Sequence, residues 1–486
     1  MSNFSALQTA LSGLISHQQA LQTAGHNAAN AATAGFSRQR VDLMSAGGGV
    51  VPAVWSKSDG IGNGVKVAGL IRIRDEFLEA RALNEIGKGA SLTVQHSVAS
   101  RIEMIFPEPS DVGIAHQLAE LWGAFDDLAN QPGAQAPRIA LLERARTVTD
   151  ELNRGATELH NLHRSSVDQA NALVHEVNAT VARVAELNGA IRNATAAGLS
   201  PHDLADQRDR LIERLGEIAG VTTRAGELGT MDVYLGGSAL VRGDRFEELA
   251  LVDTDATPPG GTPDPNAPEL HRYSVQWAKD GYPAIVTSGE IGGLLEATNV
   301  MVPHYLDELN AVAAALASHV NSVHQSGFDL DGTAGEDFFV GDASGVGAMN
   351  IKVNPALQSD PNKIAAASAD ANDPSQSAGT LDAGNATALA KLGERGLYPN
   401  GPDALYSRLI GGLGIETQAL ARRNAIQIEV TSQVDMARES VKGVNIDEEM
   451  VAMVQAQHAY AASARLMTAI DEMLQTLIHS TGLVGR

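Results

Sequence analysis

The stretch FSALQTALSGLISHQQALQTAGHNA, residues 4–28, carries Phe4, Leu7, Leu11, Leu14, Leu21 and Ala28 at alternating three- and four-residue steps, interrupted at Gln18 and Gly25. At the other end, residues 446–478 carry Ile446, Met450, Met453, Tyr460, Ala464, Met467, Leu474 and Ile478 at the same steps, interrupted at Gln457 and Asp471. A second row, Leu466, Ile470, Met473 and Leu477, widens the later stripe. Apolar residues roughly every 3.5 positions form a seam along a helix, and a seam is buried against another helix. Neither end has a partner beside it in sequence. They therefore pair with each other, with other copies of the chain, or with both. The pattern points to an assembling structural protein.

Working inward, Thr33-Ala34-Gly35 breaks the first helix, with Gly35 as a left-handed cap residue. Residues 38–45 alternate as a short strand, and 46–70 are glycine-rich, a loop with one or two short strands. Helical periodicity returns over 74–105, where Pro107 and Pro109 stop it. It continues over 111–130, 136–195, 290–325 and 402–440. Near 220 the period changes to short runs at Val221–Thr223, Met231–Leu235, Leu240–Val241, Leu249–Val252 and Tyr273–Trp277, divided by turn residues and a Pro/Gly loop at 257–265. Residues 326–400 read as loop, with one strand at Met349–Val353. Asn445 followed by Glu448 predicts a capping box. The expected fold is mainly α with an inserted β domain (α+β). Long terminal coiled-coil helices (1–40 with 444–486) would flank a helical-bundle middle domain (41–219 with 289–443) and a small β domain (220–288).

The 486 residues suffice for two or three domains, each with its own core. Aromatics make up only 4%, which suits packed helices better than a deep substrate cleft. The net charge of −23 argues against nucleic acid or anionic membrane as partner, since both require basic patches. No apolar run reaches the roughly 18 residues of a membrane span, and Met1–Phe4 lacks the basic and apolar regions of a cleaved signal peptide. With no cysteine, disulfides and thiol chemistry are excluded.

No motif makes a credible active site, so no catalytic residue, metal or cofactor is expected. Gly60-Ile61-Gly62-Asn63-Gly64 has Val65 where a dinucleotide loop needs its third glycine, so turn glycines are the better reading. Asp329-Leu330-Asp331-Gly332 places glycine too early for a calcium loop and reads as an acidic turn. His160 and His163 lie one helical turn apart without a third ligand, and read as a solvated helix face.

Three stretches resemble a known family. Gly25-His26-Asn27-Ala28-Ala29-Asn30-Ala31-Ala32-Thr33-Ala34-Gly35-Phe36-Ser37-Arg38-Gln39 is similar to the N-terminal signature of flagellar rod, hook and hook-associated axial proteins, with Phe36 in place of the usual tyrosine. Phe106-Pro107-Glu108-Pro109-Ser110, Asp206-Gln207-Arg208-Asp209-Arg210-Leu211 and Asn321–Phe328 resemble the hook-associated protein 1 branch of that family. Gly443-Val444-Asn445-Ile446-Asp447-Glu448-Glu449-Met450 looks like its C-terminal helix. The resemblance implies a structural subunit of the bacterial flagellum in the junction ring between hook and filament. Its partners would be other copies of itself (eleven to a ring, as in this axial family), the hook protein, a second junction protein toward the filament, and an export chaperone on the C-terminal helix. It implies export by the flagellar type III system to an extracellular location. The assembly interface would comprise Phe4, Leu7, Leu11, Leu14, Leu21, Ile446, Met450, Met453, Tyr460, Met467 and Leu474. Asn30, Thr33, Gly35, Phe36 and Arg38 would form the turn that joins the inner tube to the outer shell. Alternative readings are another axial protein (hook or distal rod) or a cell-wall hydrolase carried on the scaffold.

Overall fold

The computed structural model describes residues 3–46, 64–256, 269–343, 345–394 and 397–481. The chain begins with α1 (Asn3–Ala29), β1 (Gln39–Ser45), β2 (Val65–Arg72), α2 (Glu76–Ile105), α3 (Ile114–Asn130), α4 (Gln135–Ala196) and α5 (His202–Ala219). Strands β3 (Thr222–Ala225), β4 (Met231–Leu235), β5 (Ser238–Arg242), β6 (Arg245–Phe246), β7 (Leu249–Asp253) and β8 (Tyr273–Trp277) follow. Next come α6 (Gly289–Glu296), a π-helical turn (Ala297–Met301), α7 (Val302–His324), β9 (Phe339–Val340), β10 (Lys352–Val353), α8 (Pro355–Ser359) and α9 (Gly384–Ala390). The chain closes with α10 (Pro402–Lys442) and α11 (Ile446–Thr481). The long helices match the periodicity within a few residues. Helix α4 buries a residue at nearly every third or fourth position from Leu141 to Ile191, which explains its 62-residue length without a break.

Two compact units emerge. One comprises Met1–Ile86, Asn178–Glu247 and Glu429–Arg486; the other comprises Gly87–Val177 and Glu248–Ile428. This division differs from the three segments expected above. The strands expected as one β domain over 220–288 form two separate sheets, β3-β4-β5-β6 in the first unit and β7-β8 in the second. The Pro/Gly loop at 257–265 lies outside the described residues, as do Gly47–Gly49 and Gly60–Asn63. The strand expected at Met349–Val353 is only Lys352–Val353, and α5 forms where no separate element was expected.

The strands of each unit are anchored by a device that recurs four times among the described residues. A helix-borne asparagine donates Nδ2–H to the carbonyl of a strand's first residue and accepts that residue's N–H on Oδ1. Asn27 holds Gln39 this way at 2.8 and 3.0 Å. Asn188 holds Met231 at 2.8 and 3.0 Å, and Asn299 holds Tyr273 at 2.8 Å in both directions. Asn321 holds Phe339 at 2.7 and 2.8 Å. Each amide satisfies two strand-end groups that would otherwise go unpaired. Asn188 on α4 anchors the four-stranded sheet in the first unit, while Asn299 on the π-turn anchors β7-β8 in the second.

Residues 326–400 belong to the second unit and are built around buried polar groups. Arg138 is fully buried, and its guanidinium donates to the carbonyls of Pro132 and Ile364, each at 2.7 Å. The buried His324 ring sets Nδ1 against the Glu336 carbonyl at 2.6 Å and accepts the Ala365 N–H on Nε2 at 2.9 Å. Phe338 and Phe339 then pack beneath Phe125 of α3 and His324. Asp329 accepts the N–H groups of Asp331 and Thr333 at 2.9 and 2.8 Å, and Gly332 has φ +75°, so this segment is a turn. The Phe106–Ser110 block is also structural: Glu108 Oε1 accepts the Ala115 N–H at the start of α3 and the Tyr406 hydroxyl.

Asn188 Nδ2 also donates to the Gly243 carbonyl at 2.8 Å, so replacing Asn188 by alanine should strand the Met231 N–H and the Met231 and Gly243 carbonyls. We expect a loss of about 2–4 kcal/mol from the midpoint of a denaturant melt. A loss below about 1 kcal/mol would mean the sheet is not held by this amide.

Candidate functional site: the paired terminal helices

Helices α1 and α11 pair within one chain. Two contacts fix their register. A Cβ added at Gly13 would lie 2.9 Å from Ser463 Oγ, so the backbones approach closely there. Asn27 Nδ2 donates to Glu449 Oε2 at 3.0 Å. As numbers rise along α1 they fall along α11 by the same step, so the pair is antiparallel. The buried residues of α1 are small: Ala10, Gly13, Ser16, Thr23, Ala24 and Asn27. On α11 they are Glu449, Ala456 and Ile470, in heptad register with Ser463.

At the base of the pair, three elements meet on Asn27. Its amide holds Gln39 of β1 and the buried Glu449 carboxylate at once. Arg38 donates from Nε to Glu449 at 2.6 Å and from Nη1 to Glu448 at 2.8 Å. Burial pushes the Arg38 guanidinium down, but the two carboxylates outweigh it and its pKa is raised. Asn445 caps α11 by accepting the N–H groups of Asp447 and Glu448 at 3.0 and 3.4 Å. Glu448 thus makes half of the expected capping box and turns its side chain to Arg38.

The turn between α1 and β1 is tightly specified. Asn30 bonds back to the His26 carbonyl, Thr33 Oγ1 donates to Asn30 Oδ1, and the Phe36 ring stands edge-on to His26 at 5.4 Å. Gly35 has φ +75°, and a Cβ there would strike Arg210 of α5, whose Nη1 holds the Ala34 carbonyl at 2.7 Å. Of the predicted turn residues, Arg38 reaches α11 and the other four shape the turn. Asn27 and Glu449, the pair that locks the base, were missed. Both lie inside the stretches that resemble the axial proteins, but nothing in the sequence pairs one with the other.

The predicted seam residues lie on the flanks of this pair. Leu7, Leu14, Leu21, Met453, Met467 and Leu474 are half-buried. Leu11 is 47% exposed, Ile446 53%, Met450 56% and Tyr460 36%. The Phe4 side chain lies outside the described residues. The buried face is therefore rotated from the seam read in the sequence.

Behind the base, Arg72 pairs with Asp206 and Asp209 at 2.8 Å, Arg74 pairs with Asp209 and Glu79, and Arg438 joins Glu79 and Glu213. Burial pushes the Glu79 and Asp209 carboxyls up, yet the guanidiniums beside them hold both below the usual range. All of these side chains except Asp206 line a cleft of about 820 Å³. Its carboxylates at Glu79, Asp209 and Glu213 are engaged by arginines rather than free to act on a substrate.

Residues 99–339 match the model of the flagellar hook-associated protein FlgK helical domain, and residues 439–479 match that of the flagellar basal body rod FlgEFG protein C-terminal segment. The chain is 28% identical to flagellar hook-associated protein 1 of Bacillus subtilis over 525 aligned positions, covering 100% of both chains. The chain resembles flagellar hook-associated protein 1 along its whole length. The corresponding Escherichia coli protein is 25% identical, covering 98% of this chain and 99% of its own. The flagellar hook junction protein FlgK from Burkholderia pseudomallei shares the fold at a TM-score of 0.63 and 17% identity, covering 75% of this chain and all of its own. The chain is a structural flagellar protein and not an enzyme. The rod-type C-terminal match spans the base of α11, including Glu448 and Glu449.

Glu449→Ala should loosen the base of the helix pair. Removing one partner of a buried pair costs about 3–5 kcal/mol; with Arg38 partly exposed and still held by Glu448, we expect roughly 2 kcal/mol. Limited proteolysis should then cut faster around 38–45 and 440–446. An unchanged cleavage rate would mean that Glu449 does not hold α11 to β1.

Proposed function

We propose that this chain is the structural subunit of the hook–filament junction, assembling as a ring through the flanks of its α1–α11 pair. The observation that carries the reading is the distribution of side-chain size. The pair closes on small residues, while Leu11, Ile15, Ile446, Met450, Val451, Val454, Leu466, Met473, Leu477 and Ile478 stay exposed around it. Covering one such side chain in a neighbouring copy stabilises by roughly 1.5–3 kcal/mol if complete. Repeated in every subunit, this drives closure of a tube from pairs that are each only modestly stable. Apolar residues on both sides of the α11 contact face favour contacts with more than one neighbour.

Eleven copies to the ring, the hook protein on one side and a second junction protein on the filament side follow from the axial-family resemblance. So do export through the type III channel and a chaperone on α11. A chain without cysteine suits passage through such a channel, since no disulfide can lock it before export.

The test is a charge on the exposed flank. Leu11→Asp and Met450→Asp should leave monomer stability within about 0.5 kcal/mol, as for surface substitutions. In cells, both should yield hooks without filaments and flagellin released into the medium, because each buries a carboxylate at every subunit contact. Normal filaments on those hooks would contradict the reading.

A further inference from the structure

His160 and His163, one turn apart on α4, are held in different environments by the segment that leads into β8. His160 sets Nδ1 against the Ala156 carbonyl at 2.9 Å and Nε2 against Glu269 at 3.2 Å. Both nitrogens face acceptors, and the half-exposed ring beside a carboxylate favours the protonated form. Asn310 of α7 fixes the other Glu269 oxygen at 3.0 Å. His163 is buried, and its Nε2 meets the His271 carbonyl at 3.0 Å while its ring lies 6.1 Å from that of Tyr273. It was expected on a solvated face; instead it seats the strand.

We propose that His160 and His163 form a two-sided pH latch, which holds the β7-β8 hairpin on α4 within the second unit near neutrality and releases it on either side. The groups facing the latch are Glu269 and His271 before β8, and the Thr298 backbone of the π-turn. Tyr273 of β8 adds its ring, and Asp253 of β7 holds His271 Nδ1 at 2.7 Å. Asp168 of α4 faces Tyr273, and Arg272 is occupied by Asp255. The Glu269 hydrogen bond raises the His160 pKa, so its contribution is complete at low pH and is lost as pH rises through the raised value. Burial lowers the His163 pKa, helped by the neighbouring His160 charge. Its contribution is complete above the ordinary histidine range and is lost as pH falls through the lowered value. The hairpin is therefore seated best between the two.

Hydrogen exchange of the Tyr273–Trp277 amides, corrected for intrinsic rate and referenced to Leu309–Leu316 of α7, reads the latch in the intact protein from pH 5 to 9. Protection should peak near pH 6.5–7 and fall on both limbs, by at most about tenfold per pH unit on each. His160→Gln, which keeps a neutral hydrogen bond to Glu269, should flatten the alkaline limb and, by removing the charge beside His163, make the acid limb shallower without abolishing it. His163→Gln, which can still donate to the His271 carbonyl, should flatten the acid limb alone. A flat profile in the native protein, or limbs that survive unchanged in both variants, would overturn the proposal.

Discussion

The structure depends on the amide of Asn27. It is buried between the two ends of the chain, and its two polar atoms serve three elements at once: α1, which carries it, Gln39 of β1, and Glu449 of α11. Groups so buried are costly unless paired, and here each finds its partner. Glu449 in turn fixes Arg38, the first residue past the turn, so one hydrogen-bonded node sets where the terminal helices leave the body of the first unit. The antiparallel register of α1 and α11 follows from this node at one point and the Gly13–Ser463 contact at another.

That geometry separates two tasks a single apolar stripe would otherwise confuse. Small residues let the helices of one chain approach closely, so little large apolar surface is used up in the monomer. Apart from Ile470, the large apolar side chains stay half-buried or exposed on the flanks, where the proposed ring would cover them. A pair that buried its large side chains internally would have a polar exterior and no apolar flank for the proposed ring.

Periodicity revealed the helices because a buried row recurring along 62 residues, as on α4, is hard to mistake. It misplaced the contact face of α1 and α11 because large residues dominate any count of hydrophobicity. A buried face of Ala10, Gly13, Ala24 and Ala456 contributes little to such a count. The division of the strands was equally hidden. Asn188 and Asn299, which anchor the two sheets, read as ordinary polar helix residues until their strand partners are known. Residues 326–400 looked like loop because their order comes from Arg138 and His324, polar groups satisfied by backbone carbonyls and N–H groups rather than by an apolar pattern. The motif at 106–110 was visible as a resemblance, but its role as an anionic cap on α3 required the fold.

The most direct test of the paired-end account is a disulfide between Gly13→Cys and Ser463→Cys in a chain that otherwise has no cysteine. A Cβ built at Gly13 lies 3.7 Å from Ser463 Cβ, within the roughly 3.5–4.5 Å spacing of natural disulfides. Oxidation of the purified double variant should give an intrachain bond, seen as a monomer of altered mobility on non-reducing gels and a 13–463 cross-linked peptide by mass spectrometry. Interchain dimers alone, or free thiols under the same oxidation, would contradict the pairing on which the account rests.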